Sequence, residues 1–174
     1  FSNGQYTNPM VIRIAGLAYQ RGFGGHFHND NSVAVLRDIP GVILACPSNG
    51  HDGALMLREG VRLAREEQRI VVFLEPIAKY MTRDLHEDPE PGGKNKISLG
   101  EPGITGKGKN LAIITYGNGT YLSRKAAKIL EDQHKIKTRV VDLRWLAPLP
   151  VEQVVKAVKD CKKVLIVDEC RKTG

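Results

Sequence analysis

The sequence predicts an α/β fold with two parallel sheets, and three observations support this prediction. Short, continuous apolar runs recur along the chain, as in strands that are covered on both faces. Segments with apolar residues at helical spacing lie between these runs, and such alternation is typical of parallel sheets. A stretch rich in proline and glycine separates the two groups of elements. The chain has 174 residues, 41% of them hydrophobic, which is enough for one large or two small units.

The first half of the chain is predicted to alternate strands and helices. Strands are predicted over residues 10–14, 42–45 and 70–74, where the sequence is continuously apolar. A short helix is predicted over residues 32–37, and a longer one over residues 52–66. The longer helix carries an apolar stripe at helical spacing, and Ser48, Asn49 or Asp52 can cap its start.

The pattern stops between the two halves and then resumes. Prolines and glycines interrupt residues 81–110, so we predict a linker with a short strand over residues 97–99. The predicted units are therefore residues 1–80 and 111–174. In the second unit the predicted strands are residues 111–116, 139–143 and 164–168, and the predicted helices are residues 121–131 and 151–158. Thr120 is predicted to cap the first of these helices after a tight glycine turn.

Composition and charge narrow the function classes. No apolar run approaches the roughly 20 residues that a membrane span needs. Three widely spaced cysteines, with no CxxC pair, argue against a disulfide framework or a zinc ribbon and favour a reducing compartment. The chain begins without Met or an apolar signal core, so we expect a piece of a longer polypeptide.

The net charge of +7 is concentrated in the last third of the chain. Residues 111–174 hold 13 basic and 7 acidic residues. The composition favours solvated helix faces, with a docking surface for an acidic protein as the second interpretation. We do not expect nucleic-acid binding, because no aromatic side chains interleave with these lysines as stacking platforms.

Residues 21–32 are the strongest candidate for a functional site. They follow the first predicted strand and precede a short helix, and α/β folds place their chemistry in such loops. His26 and His28 supply imidazoles that titrate near neutral pH and suit proton transfer. Asn29 and Asp30 add polar groups that can bind a ligand or cap the next helix.

Three interpretations of the two histidines remain open on the residues alone. On an extended backbone His26 and His28 project to the same side, and Asp30 could complete a set of three metal ligands. Alternatively, both imidazoles only bond the loop backbone. The favoured interpretation is that His28 is catalytic or contacts a ligand. Elsewhere, Cys46 is predicted to be a buried structural cysteine and Glu75 a hydrogen-bond acceptor in a loop.

A series of motifs, in order along the chain, resembles one enzyme family. In the first half the motifs are Asn8-Pro9-Met10-Val11-Ile12-Arg13, Gly24-Gly25-His26-Phe27-His28-Asn29, Ile39-Pro40-Gly41-Val42, Cys46-Pro47-Ser48 and Val72-Phe73-Leu74-Glu75-Pro76. In the second half they are Ile113-Ile114-Thr115-Tyr116-Gly117, Val141-Asp142-Leu143-Arg144, Leu146-Ala147-Pro148-Leu149 and Val167-Asp168-Glu169. The series resembles the β-type subunit, or β-like half, of the thiamine-diphosphate-dependent component of 2-oxo acid dehydrogenase complexes, within the transketolase-like superfamily.

The resemblance implies a fold and an activity. Residues 1–80 would be the end of a pyrimidine-binding domain, and residues 111–174 part of a transketolase C-terminal-type domain. The family oxidatively decarboxylates a 2-oxo acid and passes the acyl group to a lipoyl arm. His28 matches a catalytic histidine of the family, and the cofactor or substrate pocket would include His26, Phe27, Asn29 and Asp30. No residue of the chain is assigned as a metal ligand.

The resemblance also implies cofactors, partners and a compartment. The cofactors would be thiamine diphosphate and Mg²⁺, both bound largely by regions outside this chain. The partners would be an α-type subunit or an N-terminal half, and a lipoyl acyltransferase, within a homo- or hetero-oligomer in the bacterial cytoplasm or the mitochondrial matrix. The alternatives are a metal-dependent hydrolase that uses His26, His28 and Asp30, and a non-catalytic docking module that uses the basic last third.

Overall fold

The fold is described by a computed structural model that covers residues 3, 5–17, 33–82 and 95–169. The strands are β1 (Met10–Gly16), β2 (Val42–Ala45), β3 (Ile70–Pro76), β4 (Gly103–Thr105), β5 (Leu111–Thr115), β6 (Thr138–Asp142), β7 (Trp145–Ala147) and β8 (Val164–Ile166). The helices are α1 (Val33–Arg37), α2 (Gly50–Glu67), α3 (Gly117–His134) and α4 (Val151–Val158), and a 3₁₀ turn spans Ile77–Lys79. The predicted α/β class is confirmed.

The first sheet has the strand order β1-β3-β2-β7. Strands β1 and β2 both run parallel to β3, so that Ile70 pairs with Met10 on one side and with Val42 on the other. Strand β7 runs antiparallel to β2 at the far edge. Helix α2 covers one face, and a core cluster there joins helix and strand residues: Leu55, Met56, Leu63, Val71 and Phe73.

The second sheet has the strand order β4-β6-β5-β8. Strands β6 and β8 flank β5, and both are parallel to it. Strand β4 closes one edge and is antiparallel to β6. Because β5 and β8 are parallel neighbours, the residues that follow these two strands lie at the same edge of the sheet. That placement creates the polar junction described below.

Several sequence predictions need correction. The segment 97–99 is not a strand; Ile97 is instead buried in the first sheet's core. Strands β4 and β7 were not predicted, because residues 103–105 lie in the stretch rich in proline and glycine and residues 145–147 directly precede Pro148. Helix α3 starts at Gly117, and Thr120 lies inside its first turn without bonding its side-chain oxygen to any partner. The predicted cap at Thr120 is therefore wrong.

The predictions for the cap of α2 and for Cys46 are confirmed. Helix α2 is capped by Asn49, whose side chain accepts a hydrogen bond from the Asp52 N–H at 2.8 Å. Cys46 is fully buried, as predicted for a structural cysteine. Within the described ranges, none of the helices is long and apolar enough to cross a membrane.

The two sheets share one apolar cluster. The second sheet contributes Tyr116, which directly follows β5. The other members lie in or directly after strands of the first sheet, including β7: Leu17, Leu44, Cys46, Val72, Leu74, Leu146 and Ala147. The ends of the parallel strands of the first sheet therefore lie against the start of α3.

Candidate functional site

The predicted catalytic residues belong to the segment that joins β1 to α1 in the sequence. His28, and with it His26, Phe27, Asn29 and Asp30, lies outside the described residues, and the metal-site alternative depends on three of these residues. The described chain stops at Leu17, directly after β1, and resumes at Val33, the first residue of α1. The candidate site comprises the residues around the carboxyl ends of β1, β2 and β3, where open parallel sheets bind ligands.

Leu17 marks the point where the chain leaves β1. Its side chain is fully buried, and its φ of 53° lies in the left-handed region that non-glycine residues rarely adopt. Gly117, at the start of α3, packs directly against it: a Cβ added to Gly117 would lie 2.5 Å from Leu17 Cδ1. Gly117 also has a positive φ of 53°, so both close approach and backbone conformation require glycine there.

Asn118 connects Leu17 to Glu169. Its side-chain nitrogen donates to the Leu17 carbonyl at 3.3 Å and to Glu169 Oε2 at 3.2 Å. Because both partners are acceptors, the atom that faces them must be the amide nitrogen. The other carboxylate oxygen, Glu169 Oε1, accepts a hydrogen bond from the Gly119 N–H at 2.5 Å. Glu169 thus satisfies a free N–H in the first turn of α3, the role that was predicted for Thr120.

The pKa values of three groups at this junction, Glu169, Tyr116 and Cys46, are raised. Burial raises the pKa of Glu169, and the hydrogen bonds from Gly119 and Asn118 only partly oppose that shift. Its neighbour Asp168 accepts a hydrogen bond from the Tyr116 hydroxyl at 2.7 Å. Burial, and then this bond to Asp168, raise the pKa of Tyr116. Burial also raises the pKa of the Cys46 thiol, which makes it a poor nucleophile.

A second polar cluster joins the sheets through Asp142, the last residue of β6. Asp142 accepts hydrogen bonds from Ser48 in the first unit and from the Arg144 N–H, the latter at 3.3 Å. Burial raises the pKa of Asp142 to about 6, against the opposing effects of Ser48 and Arg144. The Arg144 guanidinium lies 2.7 Å from Asp52 Oδ2, in the first turn of α2. Residues of both sheets therefore share one buried charge cluster.

A cavity of about 340 Å³ lies on the α2 side of the same sheet edge. Phe73 and Pro47 supply apolar walls, and Arg13, Glu75 and Tyr80 supply polar groups. Arg13 Nε bonds Glu75 Oε1 at 2.5 Å, and the Tyr80 hydroxyl donates to Glu75 Oε2. Burial alone would raise the pKa of Glu75, but the hydrogen bonds from Arg13 and Tyr80 outweigh it and hold the pKa below its usual value. Glu75 lies in β3 and not, as expected, in a loop.

The sequence analysis singled out several residues of this site but did not predict that they lie close together. Gly117 and Asn118 were interpreted as a tight turn, and Glu169 only as part of the family resemblance. A signal was available in principle: had the pairing of β5 with β8 been deduced, the residues after these strands would have been placed together. That pairing joins segments about fifty residues apart, and local patterns do not encode it.

A comparison with protein families finds a match in the second half of the chain. The family "Transketolase, C-terminal domain" matches residues 100–174. This part of the chain is therefore similar to a transketolase C-terminal domain. The fold agrees: a solved split-gene transketolase, an inactive β4 tetramer, superposes with a TM-score of 0.66 at 22% identity, covering 91% of this chain and 46% of that chain. A Campylobacter jejuni transketolase superposes with a TM-score of 0.61 at 12% identity, covering 90% of this chain and 26% of that one.

Curated relatives match nearly the whole chain. The pyruvate dehydrogenase E1 component subunit beta of Bacillus subtilis is 31% identical over 98% of this chain and 50% of its own length. The 2-oxoisovalerate dehydrogenase subunit beta of the same organism is 30% identical over 99% of this chain and 50% of its own length. The mitochondrial 2-oxoisovalerate dehydrogenase subunit beta of Dictyostelium discoideum is 33% identical over 88% of this chain and 40% of its own length. The resemblance predicted from the motifs is confirmed, and the chain spans about half the length of these relatives.

Proposed function

We propose that this chain is part of the β-type subunit, or β-like half, of a thiamine-diphosphate-dependent 2-oxo acid dehydrogenase component. The enzyme would oxidatively decarboxylate a 2-oxo acid and transfer the acyl group to a lipoyl arm. The observation that carries the proposal is the similarity, over nearly all of the chain, to subunits named for pyruvate and 2-oxoisovalerate dehydrogenases. Pyruvate and branched-chain 2-oxo acids are therefore the first substrate candidates.

The described residues fit one wall of a cofactor site. The carboxyl edge of the first sheet combines apolar side chains with a few polar groups, as small-molecule sites do. Thiamine diphosphate, when bound, supplies the electron sink for decarboxylation. The described residues include no cluster of His, Cys, Asp and Glu that could hold a metal ion, so we assign no step to Mg²⁺ here. The diphosphate and its Mg²⁺ would be held by the α-type partner or an N-terminal half.

We assign His28 the catalytic role within this proposal. Its imidazole would hold or move a proton during decarboxylation or acyl transfer, since its ordinary pKa lies close to neutral pH. His26, Phe27, Asn29 and Asp30 would form part of the pocket around it. The position of Leu17 supports this assignment, because the segment with these residues follows directly from the carboxyl end of β1.

The proposal extends to organisation and partners. We propose that residues 1–80 end a pyrimidine-binding domain, that residues 81–110 connect it, and that residues 111–174 belong to the C-terminal domain. A lipoyl acyltransferase would receive the acyl group, and the complete enzyme would be an oligomer. Its compartment would be the bacterial cytoplasm or the mitochondrial matrix; one relative is named as mitochondrial and others come from bacteria.

Turnover by the complete enzyme tests the proposal. The full polypeptide, purified with its α-type partner, is given thiamine diphosphate, Mg²⁺ and, in turn, pyruvate, 2-oxoisovalerate or 2-oxoglutarate, with an artificial electron acceptor. We expect reduction of the acceptor with at least one of the first two acids and no reduction when thiamine diphosphate is omitted. No turnover of any acid, or turnover that does not depend on the cofactor, would contradict the proposal.

A further inference from the structure

A groove of about 480 Å³ lies on the second sheet, between the edge strand β4 and helix α4. We propose that this β4–α4 groove is a docking site for an acidic, partly apolar segment of a partner polypeptide. The inference holds whatever reaction the complete enzyme catalyses, because it depends only on residues in and around β4, β6 and α4.

The floor of the groove is apolar, and the strand pairing explains why. Ile104 of β4 is the register partner of Val141 in β6, and the side chains of register partners point to the same face of a sheet. Val141 is buried in a cluster with Ala157 of α4, so Ile104 faces the same side as α4. The packing of α4 does not bury Ile104, which remains 55% exposed. The groove therefore presents an apolar side chain for contact.

The charged side chains that line the groove are all cations. They are Lys107, Arg139 and Lys156, and among the described residues no carboxylate lines it. Asp160, outside the groove, lies 2.7 Å from Arg139 and 3.2 Å from Lys109. The hydrogen bonds from these two side chains lower the pKa of Asp160 to about 2, so Asp160 is ionised at neutral pH and compensates the charge of Arg139. The positive charge of the groove therefore depends on Lys107 and Lys156.

Neither Lys107 nor Lys156 forms an ion pair with a described residue. Glu152 precedes Lys156 by four residues on α4, a spacing at which ion pairs can form, but the two side chains are not paired. The Glu101 carboxylate, close to Lys107 in sequence, instead accepts a hydrogen bond from the Ser98 N–H at 3.1 Å. Two uncompensated cations beside an exposed apolar side chain are complementary to a segment that combines carboxylates with an apolar residue.

The lining of the groove favours a polypeptide over a nucleic acid. None of the described residues that line it is aromatic, so it lacks the stacking surfaces on which single-stranded nucleic acids bind. Besides Ile104, the lining includes Pro102 and Ala157, whose apolar surface offers nothing to a phosphate backbone. A polypeptide can place acidic and apolar side chains next to each other and so contact both kinds of surface.

Binding of an acidic peptide to the complete enzyme tests the proposal. The probe is a fluorescein-labelled peptide of Glu-Glu-Leu repeats, and fluorescence anisotropy measures its Kd at about 100 mM NaCl, where charges further apart than about 10 Å are screened. The double variant with Lys107→Glu and Lys156→Glu should raise this Kd by at least about tenfold, because two attractive charges become repulsive. No detectable binding of the peptide to the wild-type enzyme would contradict the proposal.

A matched control separates the groove from the net charge of the chain. The double variant with Lys128→Glu and Lys163→Glu makes the same change in net charge at two exposed lysines outside the groove. It should raise the Kd by less than about threefold, because screening weakens distant charges. All four lysines are exposed, so the melting temperature should be unchanged in both double variants. Equal losses of affinity in the two double variants would overturn the inference.

The apolar floor distinguishes docking of a polypeptide from attraction of any polyanion. Ile104→Ser should raise the Kd of the Glu-Glu-Leu peptide by about threefold, because it removes an apolar contact. It should leave the Kd of a thymidine oligonucleotide of equal negative charge unchanged. If the oligonucleotide binds the wild-type enzyme as tightly as the peptide does, the groove is a general polyanion surface and the inference is wrong. An unchanged Kd of the peptide in Ile104→Ser would also contradict it.

Discussion

Glu75, near the carboxyl end of β3, and Glu169, three residues beyond the end of β8, lie at the carboxyl edges of the two sheets, but their surroundings shift their pKa values in opposite directions. Glu75 is bound by the Arg13 guanidinium and the Tyr80 hydroxyl, and its pKa lies below the usual value. Glu169 accepts from the Gly119 N–H and the Asn118 amide, and its pKa lies above the usual value. Glu75 is buried and Glu169 is half-buried, yet the pKa that is raised is that of Glu169, so burial alone does not decide the direction.

The difference comes from the charge of the groups that donate hydrogen bonds to each carboxylate. A guanidinium beside Glu75 stabilises its charged form, whereas at Glu169 the neutral donors do not outweigh desolvation. Asp142 behaves like Glu169, because burial raises its pKa to about 6. At the junction between the sheets, Glu169 and Asp142 are therefore costly to ionise, whereas Glu75 at the cavity edge forms an ion pair with Arg13. The predictions below test this contrast from its largest expected effect to its smallest.

The largest effect is expected where α3 meets Leu17. Gly117→Ala should lower the free energy of unfolding by about 2 to 3 kcal/mol, because the new Cβ meets Leu17 Cδ1 at 2.5 Å and the residue keeps a positive φ. Gly50→Ala is the matched control: Gly50 also begins an 18-residue helix, and nothing lies within 4 Å of its added Cβ. It should be neutral or slightly stabilising. Urea denaturation of the complete polypeptide measures the free energy of unfolding of both variants. Equal losses of stability in Gly117→Ala and Gly50→Ala would contradict the close approach of Gly117 to Leu17.

The next effect is expected at Asp142 and depends on pH. A raised pKa in the folded state favours folding below the ordinary pKa of aspartate, and this contribution is lost as the pH rises through about 6. Asp142→Asn should therefore raise stability at pH 7 by up to roughly 2 to 3 kcal/mol and change it little near pH 4. Denaturation at the two pH values measures the difference. If Asp142→Asn is less stable than the wild type at pH 7, the claim that the ionised Asp142 carboxylate destabilises the folded state is contradicted.

Glu75 should show the opposite pH dependence with a smaller amplitude. Because its pKa is lowered, its contribution to folding is present at neutral pH and is lost as the pH falls below the ordinary glutamate range. Glu75→Gln should be less stable than the wild type at pH 7, and the difference should narrow towards pH 3. The exposed position of the Arg13 side chain, at 61% relative exposure, limits the size of the effect through solvent screening. A stability difference between Glu75→Gln and the wild type that grows as the pH falls would contradict a stabilising Arg13–Glu75 ion pair.

Local sequence patterns predicted part of the fold but not the contacts between distant segments. The strands β2 and β3 and the helix α4 follow from local apolar patterns, and Asn49 caps α2 as its residue type and place suggest. The catalytic assignment of His28 comes from motif order alone and stays a prediction. Asn118 and Glu169 were not recognised as partners, because their meeting depends on β8 pairing with β5 and on α3 reaching Leu17. Contacts of this kind arise from topology and leave no local period in the sequence.

The most direct test of the proposed function is the effect of His28→Ala on acyl transfer to a lipoyl domain by the complete enzyme. His134→Ala is the matched control, since His134 ends α3. We predict that His28→Ala lowers the rate of acyl transfer by at least about a hundredfold while the melting temperature is unchanged, and that His134→Ala transfers at the wild-type rate. Acyl transfer at the wild-type rate in the His28→Ala enzyme would contradict the assignment.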